Sequence, residues 1–152
     1  MLIVSQNELD SYVGYTAEPT DWFLVTQEQI NAFADTTKDH QFIHVDPERA
    51  KETPFVGTIA HGFLTLSMVS YFSSQFSIIL DNAVMGVNYG FDKIRFMAPV
   101  PVDSEIRARA KVKSIEKKAP GQYLVRYDVT VDIKGHEKPA LVAEWLAMQF
   151  TS

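Results

Sequence analysis

The chain has 152 residues, the length of one ordinary domain with its own hydrophobic core. Hydrophobic residues make up 46% and charged residues 22%, which excludes a disordered or fibrous chain. A formal net charge of −5 argues against a nucleic-acid-binding protein, and the lack of cysteine excludes disulfides and thiolate chemistry. The N-terminus lacks the basic start and long apolar run of a signal peptide. We therefore expect a single domain over 1–152, located in the cytoplasm.

The first half of the chain predicts short helices followed by one long buried helix. Thr26 can cap a helix near 27–36, and Asp46-Pro47-Glu48 has the cap, proline and acid of another helix start. Residues 60–79 are apolar almost all round, as in a helix that is covered on every side. Polar residues interrupt the only stretch of transmembrane length, 59–80, so we expect it to be buried in protein and predict no membrane partner.

The second half of the chain predicts strands. A strand near 85–97 is followed by clear alternation of apolar and polar residues over 106–113 and again over 125–133, and a further run spans 140–150. Short turns between alternating strands imply an antiparallel meander, and one face of such a sheet must be covered. We predict an α+β fold in which the antiparallel sheet wraps around the long central helix.

The candidate chemical groups lie between the predicted helices. Asp39 and His44 place an acid and an imidazole five positions apart, and Gly62 stands near the start of the long helix. An acid and a base can move the protons of a water molecule, and a backbone N–H at a helix N-terminus can stabilise negative charge on a carbonyl oxygen. Glycine lets that carbonyl approach closely. The combination indicates addition of water to an activated double bond, with His40 and His61 interpreted as structural.

A zinc site is a possible alternative interpretation of the same segment. His40-Gln41-Phe42-Ile43-His44 differs by one residue from the His-Glu-x-x-His motif of metalloproteases. Gln41 cannot replace the glutamate as a general base, and the segment has no helical period that would place both histidines on one face. We therefore expect no metal and no other cofactor.

Three segments carry a resemblance to a known family. They are Asp39 to His44, Thr58 to Phe63, and Val87 to Phe96 with Pro99 to Pro101. They resemble the MaoC-like acyl dehydratases, a family that includes the (R)-specific enoyl-CoA hydratases, and within it the NodN-like branch. The hydratase signature often reads Gly-Asp-x-Asn-Pro-(Leu/Ile)-His, and here Lys38, Gln41 and Phe42 replace its Gly, Asn and Pro. The acid and the histidine are kept.

The resemblance implies a hot-dog fold and reversible addition of water to a trans-2-enoyl thioester, giving an (R)-3-hydroxyacyl product. By the same resemblance Asp39 and His44 are catalytic, Gly62 binds the thioester oxygen, and Ser70 shapes or hydrogen-bonds the site. The acyl group would be carried by CoA or by an acyl carrier protein. The family also implies a homodimer with active sites at the interface.

Two other functions remain open at this stage. A hot-dog thioesterase handles the same class of ligand, although it more often relies on a single acid without a histidine at this spacing. A non-catalytic acyl-CoA-binding module would retain the pocket without turnover. The basic face formed by Arg107, Arg109, Lys111 and Lys113 is interpreted as facing solvent, with contact to CoA phosphates as the alternative.

Overall fold

The computed structural model describes every residue from Met1 to Ser152. Six elements precede the central helix: β1 (Leu2–Val4), a 3-10 helix (Leu9–Tyr12), β2 (Phe23–Leu24), α1 (Gln27–Thr37) and the single-turn helices α2 (Phe42–Val45) and α3 (Pro47–Ala50). The rest of the chain forms α4 (Gly62–Phe76), β3 (Ile78–Leu80), β4 (Ala83–Phe96), β5 (Glu105–Ala119), β6 (Gln122–Ile133) and β7 (Leu141–Thr151).

A five-stranded antiparallel sheet dominates the structure. Its strand order is β2-β5-β6-β7-β4, so the long strands β5, β6 and β7 are central and β4 forms one edge. The turn between β5 and β6 uses Gly121 with a φ of +72°, a conformation that favours glycine. A separate two-stranded parallel sheet joins β1 to β3. The predicted meander is confirmed, with β1, β2 and β3 as additional strands.

The long helix α4 packs against the concave face of this sheet. Its buried side chains join one hydrophobic cluster with the alternate residues of the central strands, and among these are Leu64, Val69, Phe72, Val112, Val129 and Val131. The predicted α+β class, with a sheet around a central helix, is therefore confirmed. The helix is shorter than the predicted 60–79, because the chain becomes extended at Ser77 and pairs as β3 from Ile78 onwards. No helix here is both long and apolar enough to cross a membrane.

The region between α1 and α3 differs from the sequence-based expectation. The helix predicted near 27–36 is present as α1, and the Thr26 hydroxyl accepts a hydrogen bond from the Gln29 N–H at 3.2 Å, as predicted. Phe42–Val45 was predicted to lie between helices, but it forms a helical turn, α2. Four residues make barely more than one turn, so they show no period that could be detected in sequence.

Three of the four basic residues on the outer face of the sheet, Arg107, Arg109 and Lys113, form ion pairs with acidic neighbours. Arg109 makes a two-pronged ion pair with Asp132 at 2.7 and 2.9 Å, and Lys113 bonds to Glu144. The side-chain bond from Lys113 holds the pKa of Glu144 below its ordinary value, although desolvation opposes the shift. These contacts favour the interpretation of the face as a solvent-facing surface over one that binds CoA phosphates.

Tyr127 fastens the sheet to the end of the central helix. Its hydroxyl accepts a hydrogen bond from the Ile78 N–H at 3.1 Å, just after α4 ends. Its ring stacks on Trp145 with centroids 5.4 Å apart and meets the edge of Phe76 at 5.6 Å. Burial raises the pKa of Tyr127 to about 12, so the hydroxyl keeps its proton at all physiological pH values.

We predict that Tyr127→Phe lowers the free energy of unfolding by about 1–3 kcal/mol, because the ring contacts remain while the buried Ile78 N–H loses its acceptor. Urea denaturation at neutral pH measures this loss. Tyr71→Phe is the matched control, since Tyr71 is 49% exposed and its loss of stability should be below about 0.5 kcal/mol. Equal effects of the two substitutions would contradict the role assigned to the buried hydroxyl.

Candidate active site

The candidate acid lies in an exposed turn between α1 and α2. Lys38 ends α1 in the left-handed conformation, with a φ of 64°, and so redirects the chain. Asp39 follows and is exposed, and its carboxylate has only a long contact of 3.4 Å with the Gln41 N–H. The carboxylate is therefore free to bind another partner.

His44 is the buried counterpart of this acid. Its side chain lies on α2, and the residue is only 7% exposed. The Nδ1 atom lies 2.7 Å from the carbonyl oxygen of Ile59, which can only accept a hydrogen bond. Nδ1 therefore carries a proton, and in the neutral ring Nε2 is left with a lone pair. The Gln27 side chain fixes α2 from the other side by donating to the His44 carbonyl at 2.7 Å.

His61 joins the acid and the imidazole, a role that the sequence did not indicate. The residue is 2% exposed and immediately precedes α4. Its ring stacks on the His44 ring with centroids 3.8 Å apart and planes inclined by 24°, while its Nε2 lies 2.9 Å from the main-chain oxygen of Asp39. Its Nδ1 atom is buried without a hydrogen-bond partner.

Asp39, His44 and His61 form one cluster of polar groups. A potential ligand atom of each residue lies within 4.8 Å of those of the other two. Two histidines that share a metal ion direct their lone pairs at one point, whereas stacked, nearly parallel rings direct them along neighbouring planes. The cluster therefore fits an acid/base pair with a supporting ring better than a metal centre.

The environment of His44 favours the neutral imidazole. Burial lowers the pKa of His44 below its ordinary value of 6.5, and His61 lowers it further. The hydrogen bond to Ile59 and the negative charge of Asp39 raise it, but the net direction is downward. A neutral imidazole can accept a proton at neutral pH, which is the property required of a general base.

Gly62 places the start of α4 close to His44. As the first residue of the helix, it has an N–H with no acceptor inside the helix. A Cβ at this position would meet the Phe96 ring at 3.1 Å, so the ring packs directly over the glycine. Gly62 and His44 both line a cavity of about 270 Å³. Its other walls are mainly apolar, among them Phe55, Ile59, Ala60, Phe96, Met97 and Val100.

The remaining predicted residues lie elsewhere. Ser70 is exposed two turns further along α4, where it accepts a hydrogen bond from Asn88 at 3.2 Å, and it lines different cavities from His44. The structure therefore does not bring Ser70 together with Asp39, His44 and Gly62. His40 pairs with Asp35 at 2.8 Å on the surface, in keeping with its structural interpretation.

Comparison with known proteins assigns the family. Residues 9–133 match the family described as MaoC like domain. The chain belongs to the MaoC-like dehydratase family. Nodulation protein N of Rhizobium meliloti is 42% identical over 146 residues, covering 95% of this chain and 91% of that protein. 3-Hydroxyacyl-thioester dehydratase Z of Mycobacterium tuberculosis is 43% identical over 137 residues, covering 90% of each.

Solved MaoC-like structures share the fold. An (R)-hydratase from A. caviae involved in PHA biosynthesis superimposes with a TM-score of 0.72 at 23% identity, covering 89% of this chain and 94% of that one. The predicted hot-dog fold is confirmed by this likeness. The predicted resemblance to the MaoC-like family, including its NodN-like branch, is confirmed by the relatives above.

We predict that His44 makes stability dependent on pH. Because its pKa is lower in the folded than in the unfolded state, the unfolded chain binds more protons as pH falls below about 6.5. The stabilisation is fully present above that pH and is lost as pH falls towards the native pKa of His44, at up to about 1.4 kcal/mol per pH unit. Urea denaturation of the wild type and of His44→Asn across this range measures it.

The difference between those two proteins isolates the histidine, because other acidic groups affect both equally. Asparagine can still donate to the Ile59 carbonyl, so the variant keeps a hydrogen bond at that position. His40→Gln, at an exposed histidine, serves as the matched control and should follow the wild type. A wild-type curve parallel to that of His44→Asn would contradict the lowered pKa.

Proposed function

We propose that the protein catalyses the reversible addition of water to a trans-2-enoyl thioester, forming an (R)-3-hydroxyacyl thioester. One observation carries this proposal: His44 and the N-terminal residue of α4, Gly62, line the same apolar cavity, with the Asp39 carboxylate beside the imidazole. The hydro-lyase class agrees with membership of a dehydratase family and with the relative named as a 3-hydroxyacyl-thioester dehydratase.

Asp39 and His44 hold and activate the water in this proposal. The Nε2 lone pair of His44 accepts one water proton while the water oxygen forms a bond to the β-carbon, and Asp39 accepts the second hydrogen bond of that water. The π electrons move towards the thioester, and the imidazolium then returns the proton to the α-carbon on the same face. Each general acid or base step of this kind contributes on the order of 10²–10⁴-fold.

The start of α4 stabilises the negative charge that moves onto the thioester oxygen. The Gly62 N–H has no helical acceptor, and the aligned peptide dipoles place partial positive charge at this end of the 15-residue helix. Donors of this type contribute roughly 3 kcal/mol to transition-state stabilisation. The absence of a side chain lets the carbonyl approach the backbone.

The apolar cavity distinguishes an acyl ligand from a polar one, but it does not distinguish hydration from thioester hydrolysis. Both reactions polarise the same carbonyl, and they differ in the carbon that water attacks. The imidazole favours hydration, because addition to the double bond also requires a proton at the α-carbon, whereas hydrolysis does not. A thioesterase is therefore the second candidate function, and a non-catalytic acyl-CoA-binding module the third.

We further propose that CoA or an acyl carrier protein presents the acyl group, that the reaction needs no metal or other cofactor, and that the protein works in the cytoplasm. His44 carries out both proton transfers while Asp39 holds the water, so no Lewis acid is required by the mechanism. Ser70, with Asn88, is proposed to contact a more distant part of the acyl ligand, since it lies about 12 Å along the helix from Gly62.

We predict that the purified protein removes the enoyl absorbance of crotonyl-CoA without releasing free thiol, and that Asp39→Asn and His44→Asn each lower kcat by about 10²–10⁴-fold. His44 transfers the proton and Asp39 holds the water in place, so each variant should lose activity while it keeps the wild-type far-UV circular dichroism. Simultaneous recording of enoyl absorbance and thiol release separates the candidate functions.

His40→Gln is the control and should keep wild-type turnover. Thiol release would establish the thioesterase, and no change with several acyl chain lengths would support the binding module. Near-native hydration by either site variant would show that the proposed pair is wrong. Loss of activity on treatment with a chelator, restored by one metal, would overturn the proposal that no metal is needed.

We also propose that the protein is a homodimer. Strand β4 has an unpaired edge and exposes a row of large apolar side chains, namely Val84, Met85, Val87 and Tyr89. Such an edge normally finds a partner, and apolar patches of this kind mark interfaces. Phe96, at the end of the same strand, reaches the cavity wall, so a partner on this surface would also cover the site.

We predict that sedimentation at micromolar concentration gives the mass of a dimer, and that Val87→Lys shifts the protein towards monomer because it places a charge on the proposed interface. Lys117→Glu is the control, since Lys117 is an exposed residue on β5, away from the β4 edge. An active monomer under the same conditions would exclude a partner that completes the site.

A further inference from the structure

His61 is the one buried polar residue of the cluster that the proposed mechanism does not use. It is absent from the cavity wall, although its neighbour Gly62 lines it. It nevertheless contacts both partners of the acid/base pair through different atoms. One contact is a hydrogen bond to the Asp39 main chain, and the other is ring stacking on His44.

The hydrogen bond constrains the exposed acid. The main-chain oxygen of Asp39 can only accept, so Nε2 of His61 must donate at 2.9 Å. The Asp39 carboxylate itself has no contact stronger than the 3.4 Å approach of the Gln41 N–H. The residue is therefore tied to the buried part of the protein through its backbone, and His61 provides that tie.

The stacked ring constrains the base. The His44 ring is held at one edge by the Ile59 carbonyl and on one face by His61, which is itself packed against Phe33 at 5.0 Å. Rotation of the His44 ring would break the hydrogen bond and the stacking together. The two contacts therefore hold the direction in which the Nε2 lone pair points.

We propose that His61 is a positioning residue, which fixes the Asp39 main chain and the His44 ring in one arrangement; this rests on the proposed hydratase function. His61 touches neither the water nor the acyl ligand in this assignment. It acts through Asp39 and His44. His61 is 22 residues from Asp39 in sequence, and its location just before α4 brings the two residues into contact.

The charges that act on His44 give this role a measurable signature. The titratable groups facing its ring are Asp39, from the loop before α2, and His61, from the start of α4. Asp39 raises the pKa of His44 and His61 lowers it. Removal of the His61 imidazole should therefore raise the pKa of His44 and move the acidic limb of the kcat/KM profile to higher pH.

Two substitutions separate the hydrogen bond from the ring. His61→Phe keeps a stacked ring of similar size but has no donor, whereas His61→Gln keeps an amide donor but has no ring. His40→Phe is the matched control at an exposed histidine. The chain has only 4 histidines, so the His44 titration can be followed by nuclear magnetic resonance in each protein.

We expect His61→Phe to lower kcat by about 10–100-fold, with KM within about twofold of wild type, because misplacement of catalytic groups costs this much without changing the cavity. His61→Gln should lose less kcat than His61→Phe. Both variants should raise the His44 titration midpoint, and His40→Phe should change none of these quantities.

The proposal is overturned if His61→Phe keeps kcat within twofold and leaves the His44 midpoint unchanged. If His61→Phe fails to fold, the midpoint in His61→Gln decides, and an unshifted value overturns the proposal. The titration needs no substrate. The wild type could fail to hydrate enoyl-CoA while the His44 midpoint still moves on removal of His61. That result would disprove the proposed function but support the contact between the two rings.

Discussion

The hydrogen bond between the His44 ring and the Ile59 carbonyl is the contact on which the site depends. It joins α2 to the extended segment before α4, and the Ile59 N–H donates in return to the Ile43 carbonyl at 3.0 Å. The next residue, Ala60, donates to Val100 at 2.8 Å and so anchors the segment to the chain beyond β4. Only two residues separate Ile59 from Gly62. One short segment, held by two backbone hydrogen bonds, therefore sets both the direction of the His44 ring and the location of the α4 N-terminus.

The sequence predicted the elements whose residues alternate and missed those that are too short to do so. Strands β5 and β6 were predicted correctly because half-buried strands repeat their pattern every two residues, and Val129 and Val131 are indeed buried. Strand β2 has two residues and helix α2 has four, so neither can display a period. Their existence depends on partners distant in sequence, such as β5 for β2.

Sequence could indicate the site residues that stand close together in a recognisable spacing. It could not indicate residues that meet only through long-range packing. Asp39, His44 and Gly62 were proposed from residue type and spacing, and the structure places Asp39 beside His44, and Gly62 on the same cavity as His44. Their catalytic roles stay a prediction. His61 was interpreted as structural because a histidine before a helix has many uses, and its stacking on His44 arises only when two segments 17 residues apart meet. Ser70 was predicted from resemblance alone, and it lies two turns along the 15-residue helix from Gly62, on a different cavity from His44.

The hydrogen-bond acceptor of the His44 Nδ1–H group helps to explain why His44 remains neutral. In many catalytic histidines a carboxylate accepts the second ring N–H, and its full negative charge favours the protonated ring. Here a backbone carbonyl takes that place, so the tautomer is fixed by a dipole instead of a charge. Desolvation then outweighs the hydrogen bond and the pKa of His44 falls. The Asp39 carboxylate lies at the exposed end of the cluster, so it is not the group that orients the ring. Orientation and charge are thus supplied by different residues, and this separation allows a buried imidazole to be both fixed in direction and free to accept a proton.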